Sequence, residues 1–153
     1  MITPVVVFLF YSTMTSGKTH LLGRVKFQGL VKEIRHIFTE EYISAMQDAV
    51  NIMDTALDNV DVFVEADLDF HLALAEGIQN PYILILMDSI IDLLREQRKR
   101  TGLTKGGLQR GQIHHKKILD AVRHRDAQSA RRAMQDHLKQ VRKDSKASTA
   151  DAG

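Results

Sequence analysis

The sequence predicts an all-α fold, an antiparallel bundle of about six helices behind a short irregular N-terminal extension. Two observations predict it. Apolar residues recur at spacings of three and four along almost the whole chain after residue 24, and residues that cap or end helices separate these stretches. A length of 153 residues is usual for one domain with its own core. We expect an extension over residues 1–23, a helical domain over 24–143 and a disordered tail over 144–153.

The extension is the one part of the sequence that departs from the helical pattern. The run PVVVFLF is typical of a short strand, and the stretch STMTSGKTH after it is similar to a phosphate-binding loop. That loop requires a Gly five residues before Gly17, because backbone N–H groups must wrap the phosphates there, and this chain has Ser12. A nucleotide-binding fold also needs further parallel strands, whereas the remaining sequence is helical. We therefore interpret the segment as an irregular or strand-like extension.

The sequence predicts a helix that begins after Thr39, a suitable cap, with Glu40 and Glu41 in its first turn. Its apolar residues follow at spacings of three and four: Ile43, Met46, Val50, Met53 and Leu57. The helical pattern continues over residues 61–76 and ends near Gly77. These stretches predict two consecutive amphipathic helices.

The second half of the chain predicts three more helices. Asn80 and Pro81 suit the cap and first position of a helix that is apolar in its first half and charged in its last. Asp126 caps the final helix. Between them, the helix that contains IHHKKILDAVRH begins somewhere from residue 104 to 112, after a connection that four glycines mark as loose: Gly102, Gly106, Gly107 and Gly111.

Composition excludes several classes of protein. The 21 Lys and Arg residues against 19 Asp and Glu give a formal charge of +2, too weak an imbalance to indicate nucleic-acid binding. The chain has no Cys, which fits a reducing compartment and leaves only His and carboxylate side chains as metal ligands. The apolar run over residues 5–10 is too short to span a membrane, and no basic residue precedes it. We expect a soluble, cytoplasmic protein with no membrane partner.

Asp67 and His71 stand four residues apart in an otherwise apolar helix, so their side chains project from the same face. His115 shares a face with Ile118, Leu119 and Val122, which points it into the core. The remaining inward imidazole is that of His137, which shares its face with Ala130, Met134, Leu138 and Val141. Three helices therefore each direct one imidazole inward.

These residues have two interpretations. A single inward His is more often hydrogen-bonded to a carbonyl than bound to a metal, and Asp67 with His71 could be an intrahelical pair. However, burying several ionisable groups in one apolar bundle is costly unless they pair or coordinate a metal. A shared metal site accounts for Asp67, His71, His115 and His137 together, and we favour it. His20, His36, His114 and His124 show no such pattern.

Three sequence motifs in order, DLDFHLALAEGIQNP, HKKILDAV and RDAQSARRAMQDHL, resemble the FCD domain, the all-helical effector domain of FadR-type regulators in the GntR family of bacterial transcription regulators. The match is specific over residues 61–142, and LVKEIRHIFTEEYI upstream is similar to the family's opening helices in a shortened form. The resemblance implies a divalent metal, Zn²⁺, Ni²⁺ or Mn²⁺, held by Asp67, His71, His115 and His137. It also implies a small carboxylate effector in the same cavity.

Arginines are the natural partners for the other end of such an acid. Arg35 matches the Arg of the family's Glu-x-Arg pattern, and Arg95 with Arg98 follows the apolar half of its helix. An ion pair with a neighbouring acidic residue is the alternative for each of them. We predict Arg35 and Arg95 as ligand-binding residues and rank Arg98 with Arg95.

The chain departs from the family ahead of the effector domain. Family members carry a winged helix-turn-helix domain there, whereas residues 1–30 have no room for three helices and a wing. We expect that this polypeptide does not bind DNA directly, and that apolar surface left by a shortened first helix either favours a homodimer or lowers stability.

Three functions follow in order of preference. The first is a metal-assisted sensor of an organic acid in a transcription regulator. The second is a metal-dependent hydrolase, which is less favoured because the convergent ionisable residues are all used as ligands and no separate general base stands out. The third is a structural, dimerising bundle without metal. We therefore expect no enzyme.

Overall fold

The computed structural model describes residues 39–78 and 81–150 of the chain. They form five helices: α1 Glu40–Thr55, α2 Val60–Glu76, α3 Pro81–Gly102, α4 Gly107–Arg123 and α5 Ala127–Ala150. No strand occurs among these described residues, so the all-α prediction is confirmed. The predicted strand, the loop-like STMTSGKTH and the first of the six expected helices lie within residues 1–38, outside the described part.

Helix α1 packs against α2 and α4, α4 packs against α5, and α3 lies against α2 and α5. One apolar cluster fills the space among α1, α2, α4 and α5, with Met46, Met53, Phe70 and Ile118 almost fully enclosed. A second cluster joins α2 to α3. Because α2 contributes to both clusters, it is buried on most of its circumference, and two of its polar side chains, those of Asp67 and His71, are enclosed as well.

Two helix starts are fixed by side chains that bond to free backbone N–H groups. Asp126 accepts hydrogen bonds from the backbone N–H of Gln128 at 3.1 Å and of Ser129 at 3.0 Å, which confirms the predicted cap of α5. Asn59 accepts from the N–H of Val62 at 3.2 Å and caps α2. Thr39 occupies the cap position of α1, but its side chain makes no capping bond.

The connection between α3 and α4 is short and hydrogen-bonded, so the predicted loose connection is wrong. Thr104 donates from its hydroxyl to the carbonyl of Thr101 at 2.7 Å, and its own carbonyl accepts from the N–H of Gly107 at 2.8 Å. Gly106 has a φ of 71°, a left-handed conformation that favours glycine. A Cβ at Gly107 would clash with the carbonyl of Thr101, because the two backbones approach too closely for a side chain.

The last helix continues beyond the predicted domain end at residue 143. Helix α5 runs to Ala150, so residues 144–150 are helical rather than a disordered tail. Asp144 explains the difference: its side chain is buried and accepts a hydrogen bond of 2.6 Å from Arg110 of α4. Within the described part of the chain, no helix is both long enough and apolar enough to cross a membrane.

Candidate metal centre

Three buried imidazoles meet in the centre of the bundle, each from a different helix. His71 of α2, His115 of α4 and His137 of α5 are 0%, 1% and 1% exposed. One candidate ligand atom from each lies within 4.8 Å of the others. The ring centroids are 4.8 Å apart for His115 and His137 and 5.3 to 5.4 Å apart for the other two pairs. The structure thus brings together the three histidines that the sequence placed on inward faces.

Asp67 completes this group from one turn before His71 on α2. Its Oδ1 atom lies 2.9 Å from Nε2 of His115 and 3.7 Å from Nε2 of His71. The contact with His115 is close but does not have hydrogen-bond geometry, and within the described part of the chain that ring nitrogen has no hydrogen-bond partner. All four predicted ligands are therefore in one place, with the carboxylate directed at two of the rings.

Packing around the group fixes the orientation of its side chains. Phe70 is fully buried and lies with its ring 5.0 Å from that of His115 and 5.3 Å, edge on, from that of His71. Gln112, one turn before His115, donates hydrogen bonds to the carbonyl of Val50 at 2.8 Å and to Asp54 at 3.0 Å. These bonds hold α4 against α1 and so set the position from which His115 projects.

A buried cation accompanies the cluster. Arg98 of α3 is 7% exposed, and its Nε atom lies 3.2 Å from Oδ2 of Asp67. This contact is an ion pair without hydrogen-bond geometry. The terminal NH2 group of Arg98 lies 3.2 Å from Nε2 of His71, and because a guanidinium can only donate, that ring nitrogen is the acceptor. Arg98 therefore contacts two of the four candidate ligands.

The electrostatic environment favours the neutral form of His71 and His137 and the ionised form of Asp67. Burial lowers the pKa of His71 well below its ordinary value, and the positive charge of Arg98 adds to the effect. Burial, followed by the charge of His115, does the same to the pKa of His137. Burial is the largest influence on the pKa of Asp67 and acts to raise it, but the positive charge of Arg98 and the contact with His115 act together in the other direction, and the pKa is lowered overall. These are the protonation states in which both kinds of side chain bind a metal.

The donor set fits a divalent metal. Both ring nitrogens of His115 and both of His137 lie buried without a hydrogen-bond partner among the described residues. Buried polar atoms are normally paired, so four orphaned nitrogens in one cluster require an explanation, and a metal ion supplies one. Three imidazoles with one carboxylate match the ligands that Zn²⁺, Ni²⁺ and Mn²⁺ accept. Among the described residues this is the one cluster of three or more such side chains close enough to hold an ion.

A small cavity of about 30 Å³ adjoins the cluster. Asp67, Arg98 and His137 line one part of it, and Thr101, Gln140 and Asp144 are further polar residues in its wall. Three glycines, Gly102, Gly107 and Gly111, leave room where side chains would otherwise stand. The volume suits one or two water molecules, so a larger guest would have to displace the long side chains in the wall.

The polar wall opposite the glycines is itself held in place. Asp144 accepts hydrogen bonds from Arg110 at 2.6 Å and from Gln140 at 3.2 Å. Arg110 also donates to the hydroxyl of Thr104 and to the carbonyl of Lys105 in the turn before α4. These bonds join the end of α5 to the connection between α3 and α4, beside the cavity.

The predicted arginines have different outcomes. Arg95 does not line the cavity, because it turns outward and pairs with Glu65 at 2.7 Å and with Asp92 at 2.5 Å. Arg98, three residues later and ranked with Arg95 in the sequence analysis, does line the cavity. Arg35 lies outside the described residues. The sequence also gave no indication of Asp144, which it placed in the tail.

The other histidines behave differently from the three in the cluster. His124 is exposed, and its Nδ1 atom lies 2.8 Å from the carbonyl of Asp120, as expected for a residue at a helix end. His114 is half-buried with its ring 5.9 Å from that of His137, and burial lowers its pKa. It therefore stands beside the cluster without joining it.

Comparison with known proteins places the chain in a family. The FCD domain family matches residues 31–140. The chain is 29% identical over 135 residues to the HTH-type transcriptional repressor NanR of Enterobacter sp. (strain 638), covering 86% of this chain and 52% of that protein. It is 31% identical over 121 residues to the NanR repressor of Klebsiella aerogenes, and this match covers 73% of this chain and 44% of that protein. The chain is 33% identical over 116 residues to the NanR repressor of Escherichia coli (strain K12), and the match covers 73% of this chain and 43% of that protein.

The chain thus spans about half the length of the curated relatives it matches. Family and relatives are regulatory rather than enzymatic, as the sequence predicted. The motifs that carried the resemblance, including the Asp and His four apart on α2, lie inside the matched region. The chain belongs to the FCD domain family, the effector-binding domain of GntR-type transcription regulators.

Proposed function

We propose that this chain senses a small organic acid through a divalent metal held by Asp67, His71, His115 and His137. The observation that carries the proposal is the convergence of three buried imidazoles from α2, α4 and α5, two of them with no hydrogen-bond partner for either ring nitrogen among the described residues. A core histidine that served packing alone would be expected to find a carbonyl or hydroxyl partner, as buried polar groups usually do.

The ligand set determines what the metal would supply. Three neutral imidazoles and one carboxylate leave a divalent ion with a net positive charge and, in five- or six-fold coordination, with open positions. A carboxylate of the effector would fill those positions and neutralise the charge. On the side away from the cavity, Phe70 and the rest of the core enclose the rings, so the open positions would face the cavity.

The acid would occupy the cavity beside the cluster. Arg98 lies at its inner end and offers the guanidinium that suits a carboxylate. Thr101, Gln140 and Asp144 offer polar contacts to the rest of the molecule. We propose Arg98 in place of Arg95 as the acid's partner, while Arg35 stays a prediction.

The wider partners are proposals of the same kind. The relatives are named as helix-turn-helix repressors, so we propose that this domain reports its ligand state within a DNA-binding regulator in the cytoplasm. A homodimer is supported by three exposed apolar residues that share one side of α3: Tyr82, Ile85 and Leu93 are 81%, 66% and 66% exposed.

Metal analysis of the purified protein tests the central claim. We expect near-stoichiometric metal in the wild type, and loss of it in a variant with both His115→Ala and His137→Ala. His124→Ala is the matched control, because it removes an exposed imidazole from the end of the same helix α4. Absence of metal after incubation with Zn²⁺, Ni²⁺ and Mn²⁺ would contradict the proposal and leave these histidines as core residues.

Acid binding is tested on metal-loaded protein by calorimetric titration with acetate, lactate and citrate. Saturable binding that disappears after treatment with a chelator is the expected result. Turnover of simple esters or amides with metal present would instead favour the hydrolase that the sequence left as an alternative. Equal binding with and without metal would separate the acid site from the imidazole cluster and contradict the shared cavity.

A further inference from the structure

The guanidinium of Arg98 lies against two of the side chains that would bind the metal. Its Nε atom is 3.2 Å from Asp67 Oδ2, and its terminal nitrogen is 3.2 Å from Nε2 of His71. Arg98 and Asp67 are 7% and 2% exposed, so water screens this arrangement poorly. Among the described residues, Asp67 is the acidic group that pairs with Arg98.

A metal ion and this guanidinium have conflicting requirements. The Nε2 lone pair of His71 can accept a hydrogen bond from Arg98 or bind a metal through that atom, but it cannot do both at once. Arg98 cannot relieve the conflict by losing its proton, because guanidinium groups stay charged in proteins. Two cations this close, with one carboxylate between them, also repel each other strongly in a buried site.

The cavity offers the displaced side chain a place. Arg98 lines it already, and the same wall carries Thr101, Gln140 and Asp144, all with oxygen atoms that can accept hydrogen bonds from a guanidinium. A change of side-chain rotamer can thus move the positive charge from Asp67 and His71 toward these groups without movement of α3.

We infer that Arg98 competes with the metal: entry of a divalent ion displaces its guanidinium from Asp67 and His71 into the cavity. This inference rests on the proposed function and adds an order of events to it. The displaced guanidinium leaves Asp67, and the acidic group in the cavity wall, Asp144, is already paired with Arg110, so the cavity becomes more favourable for an anion only after the metal has bound. Metal and acid then reinforce each other's binding, as linkage requires.

The alternative role of Arg98 makes the opposite prediction. Residues that hydrogen-bond a metal-ligating carboxylate often orient it and strengthen metal binding. If Arg98 kept its contact with Asp67 while the metal was bound, its removal would weaken the site. The sign of the change in metal affinity therefore decides between a competitor and a supporting residue.

The experiment measures Zn²⁺ affinity by competition with a chromophoric chelator, with Zn²⁺ as the only added ligand. We expect Arg98→Met to bind Zn²⁺ between about tenfold and a hundredfold more tightly than the wild type, because a hydrogen-bonded competitor with a charge is removed. Arg98→Lys retains the charge and is expected to stay within a few-fold of the wild type. Arg95→Met, which removes an outward arginine from the same helix, is the control for net charge.

Weaker or unchanged Zn²⁺ binding by Arg98→Met would overturn the inference, as would an equal gain in Arg95→Met. If the inference fails in this way but the wild type still binds Zn²⁺, the proposed metal site stands. If the wild type binds no Zn²⁺, both the proposed function and the inference about Arg98 are refuted. Should Arg98→Met fail to fold, the wild type still gives an answer through the Nε–H NMR signal of Arg98, assigned by its loss in Arg98→Lys. We expect this signal to shift and exchange faster with water on addition of Zn²⁺, and an unaffected signal would refute displacement.

Discussion

Replacement of His137 by Leu is expected to change stability in opposite directions with and without metal. The side chain is 1% exposed, and neither of its ring nitrogens has a hydrogen-bond partner among the described residues. Leu is apolar and similar in size, so His137→Leu removes the orphaned nitrogens without leaving a large cavity. It also removes one of the proposed ligands.

The two effects can be given rough sizes. A buried polar group without a partner costs about 1–3 kcal/mol, so His137→Leu should be as stable as the metal-free wild type or more stable by up to about that amount. A metal at a hundredfold excess over its dissociation constant stabilises the wild type by about 2.7 kcal/mol, and at a thousandfold excess by about 4.1 kcal/mol. In a chain of this length such values raise the Tm by about 5–16 °C, and the variant should lose most of this increase.

Urea unfolding of both proteins, once with a chelator and once with Zn²⁺, measures these free energies directly. We expect the two curves to change order between the conditions. A variant that is less stable than the wild type by a similar amount in both would refute the reasoning, because it would show that His137 stabilises the core through packing or a hydrogen bond. His124→Leu, at an exposed position, is expected to leave the Zn²⁺ response unchanged.

Three further predictions concern the cavity, the connection before α4 and the cap of α5. Gly111→Ala is expected to raise the free energy of unfolding by about 0.5–1 kcal/mol, because Ala favours a helix more than Gly does and the new Cβ would lie in ordinary contact, 3.8 Å from Cε1 of His115. The variant should retain metal but bind acid more weakly in calorimetry. Full acid affinity would show that the cavity is not the acid site. Gly107→Ala should instead lower stability, seen as a lower urea midpoint, because its Cβ would clash with the backbone carbonyl of Thr101. The hydrogen bond from the Ser129 hydroxyl holds the pKa of Asp126 below its ordinary 3.8, so the cap's stabilisation is present above that pH and lost as pH falls through the folded-state pKa. Asp126→Asn should therefore have a lower urea midpoint than the wild type at neutral pH and approach it as the pH falls below 3.8, whereas a constant gap would contradict the pKa shift.

Helix positions and the imidazole cluster could be predicted from the sequence because both depend on periodicity. Spacings of three and four placed His115 and His137 on apolar faces, and the bundle then had one interior for them to share. Capping chemistry is equally local, and Asp126 bonds to N–H groups two and three residues ahead. Periodicity and capping can therefore be recognised from the residues of a single helix, without knowledge of how the helices pack.

The choice between Arg95 and Arg98 could not be made in this way. The end of α3 reads REQRKR, charged or polar on every side, so no apolar stripe indicates which arginine faces inward. Their three-residue separation places them on neighbouring faces, and the position of α2 decides between them: Asp67 attracts one and Glu65 the other. The tail prediction failed for a similar reason, since Asp144 is held by Arg110, a residue 34 positions earlier on another helix.

The architecture assigns different parts to the helices around the site. Helices α2, α4 and α5 each provide one imidazole, so a bound ion would tie three elements that are distant in sequence to one point and stabilise their packing together. Helix α3 provides no imidazole and reaches the cluster through Arg98, whose contacts are electrostatic and can be exchanged for others in the cavity. If Arg98 is displaced as inferred above, metal binding moves a buried charge on α3 while the three ligand-bearing helices keep their places. The same helix carries the exposed apolar side chains of Tyr82, Ile85 and Leu93, so in the proposed homodimer the helix that contacts the site through Arg98 would also contact the neighbouring subunit.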